Sequence, residues 1–176
     1  MDRLWSPWRL EYITRTGREE RREKQREEGR DAGCIFCLES QPAENRSLVV
    51  FEGRACYVIL NLYPYNNGHL MVVPRRHVGS LAALSADEMV EVGVLTQRCE
   101  TALDAAYRPQ GFNIGVNLGK SAGAGVLDHV HVHVVPRWSG DTNFMTVVGD
   151  MRVLPESLGE SAARLRPIFS RLAGSR

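Results

Sequence analysis

The feature that most restricts this chain is the run His129-Val130-His131-Val132-His133. Side chains alternate faces along an extended strand, so the three imidazoles are expected on one face, roughly 7 Å apart, with Val130, Val132 and Val134 on the other. Such a row is costly unless it is used. Each buried ring needs a hydrogen-bond partner, and protonated rings repel one another. Two chemistries want it. One is a metal site. The other is nucleophilic catalysis, in which a neutral imidazole nitrogen attacks phosphorus without a separate base while a neighbouring histidine protonates the leaving phosphate. Just upstream, Gly119-Lys120-Ser121-Ala122-Gly123-Ala124-Gly125 is a glycine-rich loop whose backbone N–H groups are expected to approach phosphate closely.

The rest of the chain reads as an antiparallel α+β domain. Short β-rich runs at 47–51 and 56–60 flank the turn Glu52-Gly53-Arg54, and 69–74 reads as a buried strand. Ser85 with Glu88 forms a capping box for a helix reaching about Tyr107, its apolar positions being Met89, Val92, Leu95, Cys99 and Leu103. Strands are expected at 112–116 and 130–136. A terminal helix is expected over 155–172, opening on Pro155. Three segments are expected: an N-terminal arm and charged stretch (1–31), a catalytic domain (32–150), and a C-terminal helix within the same globule (151–176).

Charge and cysteine usage narrow the function classes. The formal net charge of +1 gives no general pull toward nucleic acid. Residues 15–31 are dense in charge, but seven basic and six acidic side chains nearly neutralise one another, so a solvated segment is expected and not a basic RNA-binding arm. No apolar run is long enough to span a membrane, and residues 1–10 lack the apolar stretch of a secretory signal, so the chain is read as cytoplasmic. Cys56 and Cys99 read as core residues. Cys34 and Cys37 form a C-x-x-C pair, half of a zinc site or two free thiols.

The stretch Asp128 to Arg137 resembles the histidine-triad signature, H-x-H-x-H followed by apolar residues, and Gly68 to His77 resembles that family's upstream strand. The resemblance covers roughly 32–147. It implies a five-stranded antiparallel sheet, a dimer joined into one larger sheet, and purine-nucleotide binding. His131 would be the nucleophile and His133 its helper, with His69 near the phosphates. Asn61 falls where members hold the ribose hydroxyls and Asn117 where a polar residue meets phosphate. Gly123, Ala124, Gly125 and His129 would complete the nucleotide site. The zinc set used in related proteins maps onto Cys34, Cys37, His77 and His129. Residues 4–13 and 136–145 look like a bacterial subgroup, some of whose members are diadenosine tetraphosphate phosphorylases. Where many members carry glutamine followed by serine or threonine before the triad, this chain has Gly125-Val126.

The expected function is a nucleotidyl transferase or phosphorylase that cleaves dinucleoside polyphosphates through a nucleotidyl-histidine, with inorganic phosphate as acceptor. The alternatives are a hydrolase of nucleotide conjugates (phosphoramidase-like), a nucleotide-binding regulatory protein without turnover, and a zinc-dependent interaction protein using the 15–31 segment.

Overall fold

A computed structural model describes residues 33–38, 41–141 and 154–174. The whole 1–31 arm, with the 4–13 likeness, and the segment 142–153 lie outside the described residues, as do positions 142–145 of the 136–145 likeness, so the expectations placed on them are carried no further.

The described chain is a five-stranded, wholly antiparallel sheet of order β1-β2-β3-β5-β4. After a short helix α1 (Ala43–Arg46) come β1 (Val49–Glu52), β2 (Cys56–Leu60) and β3 (Leu70–Pro74). The long helix α2 (Ala86–Tyr107) follows, then β4 (Gly111–Val116), β5 (Val132–Arg137) and the terminal helix α3 (Leu158–Gly174). Strands β2 and β3 are buried at every position and pair in continuous register from Cys56↔Pro74 to Leu60↔Leu70. Their unbroken apolar runs are those of central strands covered on both faces.

Helix α2 starts where its sequence dictates. The Glu88 amide donates to Ser85 Oγ at 3.2 Å, and the Ser85 amide donates to the Glu88 carboxylate at 2.7 Å. The Arg76 guanidinium clasps the same carboxylate at 2.7 and 3.0 Å and, ahead of the Ser85 bonds, holds its pKa down to about 2. The stripe facing the sheet is Glu88, Val92, Leu95, Cys99, Ala102 and Leu103. Met89, expected on that stripe, is exposed beside Val90, because the capping Glu88 takes the inward position of the first turn. At the far end Arg108 caps the helix with φ +48°, a left-handed conformation usually left to glycine.

Helix α3 begins at Leu158, three residues later than expected from Pro155. Ser157 and Glu160 form the initiating reciprocal bonds: the Ser157 amide donates to the Glu160 carboxylate at 2.9 Å and the Glu160 amide to Ser157 Oγ at 3.3 Å. The helix lies along β1, where Phe169 stacks on Phe51 with centroids 5.7 Å apart and Arg166 donates to the Val49 and Ser47 carbonyls. One edge of the sheet is thus covered. At the other edge, among the described residues, β4 pairs with β5 alone, and Ile114 there is 47% exposed.

Strand β5 is shorter than its valine pattern suggested. The ladder with β3 ends at Val72↔Val132, and that with β4 at Val116↔Val132. Pro74 has no N–H to continue the ladder, and its carbonyl accepts from the His129 ring instead. Of the three histidines only His133 lies in the strand. His129 lies in a bend and His131 just before the first strand residue, so the expectation that all three stand on one strand is corrected.

Candidate active site and metal centre

All five histidines and both C-x-x-C thiols converge at the β3–β5 side of the sheet. His129 and His69 are fully buried and His131 is 6% exposed. The His131 and His133 rings lie edge to face with centroids 4.7 Å apart.

The hydrogen bonds assign the protons. His131 Nδ1 lies 3.0 Å from the His129 carbonyl, an acceptor only, so Nδ1 carries the hydrogen and Nε2 keeps its lone pair. Burial lowers the pKa of His131 below the ordinary imidazole value, outweighing the opposing pull of that bond, so the ring stays neutral. A second chain starts on the backbone. The Tyr65 amide donates to His69 Nδ1 at 3.0 Å, so Nδ1 is a lone pair and the neutral ring holds its proton on Nε2. His69 Nε2 lies 3.0 Å from His133 Nδ1 and donates to it. Neutral His133 therefore carries its proton on Nε2. The outcome is a bare nitrogen on His131 beside a protonated nitrogen on His133, the pairing that a nucleophile and a general acid require.

The loop between β2 and β3 makes this arrangement. The Asn61 amide donates to the His69 carbonyl and the His69 amide to the Asn66 carbonyl, closing the loop on itself. Gly68 takes φ +73°, and a Cβ there would meet Leu103 and Tyr107 at 3.0 Å. The Tyr65 ring packs on His69 and His133 at 4.7 and 5.7 Å. Asn61, expected to meet ribose, has its side chain inside the loop: Oδ1 accepts from the Tyr63 amide at 3.0 Å and the amide nitrogen faces His69 Nδ1 at 3.3 Å. Asn117 follows β4 and is half-buried.

The glycine-rich loop differs from its expected form. Lys120–Ala122 make a single 3-10 turn between Gly119 and Gly123, both at positive φ. The amides of Ala122 and Ala124 donate to the Gly119 carbonyl and that of Gly123 to the Lys120 carbonyl. These N–H groups close the turn, so the expected phosphate cradle at Ala122, Gly123 and Ala124 is not the loop's conformation here.

Cys34, Cys37, His77 and His129 place their donor atoms within 4.8 Å of one another. Cys34 Sγ lies 3.3 Å and Cys37 Sγ 3.7 Å from His129 Nδ1, and Cys37 Sγ lies 3.3 Å from His77 Nδ1. The edges of a tetrahedron with zinc-length bonds to sulfur and nitrogen are about 3.5 Å, so the four donors fit a zinc-sized ion. His129 donates its other ring nitrogen to the Pro74 carbonyl at 2.8 Å, the outer contact that fixes a ligating imidazole.

Sequence reasoning missed the frame of this cluster. The Tyr57 hydroxyl donates to the Phe36 carbonyl at 2.5 Å, and Gln41 donates to the Ile35 carbonyl at 2.6 Å, holding the Cys34–Cys37 turn from beneath. The Phe36 ring packs on His131 at 4.7 Å and on His129 at 5.7 Å. The only signal was an aromatic residue inside the C-x-x-C pair.

Comparison with known proteins agrees with this geometry. Residues 42–140 match the HIT domain family. A Mycobacterium tuberculosis protein named AP-4-A phosphorylase is 40% identical over 97% of this chain and 86% of its own length. A bis(5'-adenosyl)-triphosphatase of Dictyostelium discoideum is 29% identical over 70% of this chain and 87% of its own. Among solved structures, a Zn-bound histidine triad family protein from Mycobacterium smegmatis superposes with a TM-score of 0.65 at 28% identity, covering 82% of this chain and 98% of that one. The chain belongs to the HIT domain family.

Proposed function

We propose that this protein cleaves dinucleoside polyphosphates such as diadenosine tetraphosphate by transferring a nucleotidyl group first to His131 and then to inorganic phosphate. The observation that carries the reading is the paired proton assignment, a lone pair on His131 Nε2 beside a hydrogen on His133 Nε2. In the first step His131 Nε2 bonds to the phosphorus next to the adenosine, and the bond from that phosphorus to the oxygen of the departing ATP breaks. His133 gives its Nε2 proton to that oxygen. In the second step an oxygen of hydrogen phosphate bonds to the phosphorus and its proton passes to His133 Nε2, the phosphorus–nitrogen bond breaks with its electron pair returning to His131, and ADP leaves.

The relatives named for AP-4-A phosphorylase support the substrate class and the phosphate acceptor. The Dictyostelium relative, named a triphosphatase, favours water as acceptor, and so does a glycine loop whose amides are turned inward. Diadenosine tetraphosphate supplied with and without phosphate separates the two: ADP with ATP in step with added phosphate supports the proposal, whereas AMP with ATP at a phosphate-independent rate makes the enzyme a hydrolase. His131→Ala should abolish both, and a label trapped on any other residue would overturn the role of His131.

Zinc is the ion proposed for Cys34, Cys37, His77 and His129, supported by the donor geometry and by the Zn-bound relative. Zinc there would supply folding energy; the chemistry is that of the histidines. The nucleotide is proposed to lie across His131, His133 and His69, with Asn61, Asn117 and residues Gly123, Ala124 and Gly125 around it. That role for Asn61 requires its side chain to leave the loop contacts it now makes. A homodimer through the open β4 edge and the exposed Met89–Val90 face of α2 is proposed on the same footing. No helix among the described residues is long and apolar enough to cross a membrane, in keeping with a cytoplasmic role.

A further inference from the structure

We propose that Asp141 is a positioning residue for the acid histidine: acting through Asn66, it holds the Tyr65 amide where that amide fixes the tautomers of His69 and His133. The inference rests on the proposed adenylyl transfer to His131 and adds a residue to it.

The geometry begins at Asp141, just beyond β5. Its carboxylate accepts from Asn66 Nδ2 at 2.8 Å, from Arg137 Nε and Nη2 at 2.5 and 2.9 Å, and from the Trp138 amide at 3.2 Å. The side chain is only 10% exposed, and its bonds to Asn66 and the Trp138 amide are partly buried, whereas the Arg137 pair faces solvent. Arg137 is tied in turn to Asn113 of β4 at 2.7 Å. Asn66 Nδ2 also donates to the Pro136 carbonyl at 3.1 Å. Asn66 is therefore hung, by one amide group, from the strand that carries His133.

What hangs there is the segment that sets the proton chain. Tyr65 adjoins Asn66, and the His69 amide bonds back to the Asn66 carbonyl at 3.2 Å. The Tyr65 amide faces His69 Nδ1 at 3.0 Å. If the loop drifts, nothing on the backbone forces the His69 proton to Nε2. His133 then loses the donor at Nδ1 that keeps its own proton on Nε2. A misplacement of an ångström in such a support is enough to lower a rate severely.

Asp141→Asn keeps the shape but puts an amide donor among donors, since Asn66, Arg137 and Trp138 all donate to this carboxylate. Two readouts test the consequence. The first is nitrogen-15 NMR of the imidazoles in the full chain above the histidine titration range. The parent should show His69 and His133 with the proton on Nε2, and Asp141→Asn should show mixed tautomers. The second is single-turnover transfer of the adenylyl group from two donors. Diadenosine tetraphosphate releases ATP, whose leaving oxygen needs a proton. Adenosine 5′-phosphosulfate releases sulfate, a far weaker base that does not. Asp141→Asn should slow the first donor by roughly tenfold or more, as loss of part of a general-acid effect requires, and leave substrate binding and the second donor nearly unchanged. Asn66→Ala should reproduce the pattern, and the double variant should be no worse than either alone.

Equal slowing with both donors, or unchanged tautomers in both variants, overturns the proposal. If the parent protein cleaves neither donor, it is the proposed function that fails, and the tautomer spectra still decide the role of Asp141.

Discussion

Tyr57→Phe removes a single oxygen, and the structure says what that oxygen does. The ring is fully buried between β1 and β3, so its packing survives the change. Burial pushes the phenol pKa far up, so the hydroxyl is a donor at every working pH. It donates to the Phe36 carbonyl at 2.5 Å and lies 3.3 Å from Gln41 Nε2. Its loss leaves that carbonyl without this donor in a buried place. Gln41 Oε1 nearby is buried with no hydrogen-bond partner among the described residues, and as an acceptor it cannot replace the lost hydroxyl hydrogen. An unsatisfied buried carbonyl costs about 1–3 kcal/mol. For a chain of this size that is a fall of about 2–12 °C in melting temperature. The same carbonyl belongs to the turn that presents Cys34 and Cys37, so metal affinity should fall as well, by roughly tenfold, the low end for contacts outside the ligand shell. Thermal melts with and without a chelator, and competition against a chromogenic zinc indicator, measure the two effects. A variant that melts within about 1 °C of the parent and holds metal as tightly would show that the hydroxyl is not the strut described here.

Glu88 supplies a pH dependence. Its folded-state pKa of about 2 lies below the ordinary 4.5, so its contribution to stability is complete above about 4.5 and is lost as pH falls toward 2. Acid melts of Glu88→Gln should start from a lower melting temperature and fall less steeply over that window than those of the parent; parallel curves would refute it. Arg108→Gly should raise stability by about 0.5–1 kcal/mol in denaturant melts, because glycine takes the positive φ without the penalty a side chain brings, and a lower midpoint would contradict this. Ile114→Arg on the open β4 edge should convert the proposed dimer to a monomer in light scattering without lowering the melting temperature of the monomer; a parent that is already monomeric at micromolar concentration disposes of the dimer.

What the sequence disclosed was whatever rested on a local rule. The Ser85–Glu88 capping box, the Cys56–Leu60 strand and the end of α2 at Tyr107 are all where short-range patterns put them. The C-x-x-C pair and its two histidine partners converge as expected, because the triad resemblance supplied the partners that spacing alone could not. The failures share a different cause. The valines of the histidine run suggested one long strand, yet the strand begins only at Val132 because Pro74, which the register would set opposite Val130, has no N–H to donate there. The glycine loop suggested open amides, yet positive φ at Gly119 and Gly123 turns three of them inward. Tyr65 and Phe36 act through main-chain atoms or packing, which leave no residue-type signature, and Asn66 acts through a side-chain amide whose partners, Pro136 and Asp141, are distant in sequence. Asp141 stood inside a stretch that was legible only as a family likeness.

His129 faces the thiols with ring Nδ1, donates from Nε2 to the Pro74 carbonyl, and offers its own carbonyl to the ring proposed to do the chemistry. Folding and turnover are thereby made genetically inseparable at position 129: any replacement retains the carbonyl but surrenders the ring that holds it in place. His77 meets that chain only through the His129 ring, edge to face at 5.2 Å, and is itself half-buried and reached from Cys37. A graded series at position 77 would act as a dial on metal retention, yielding chelator-sensitive or heat-sensitive forms of the protein whose nucleophile remains unaltered.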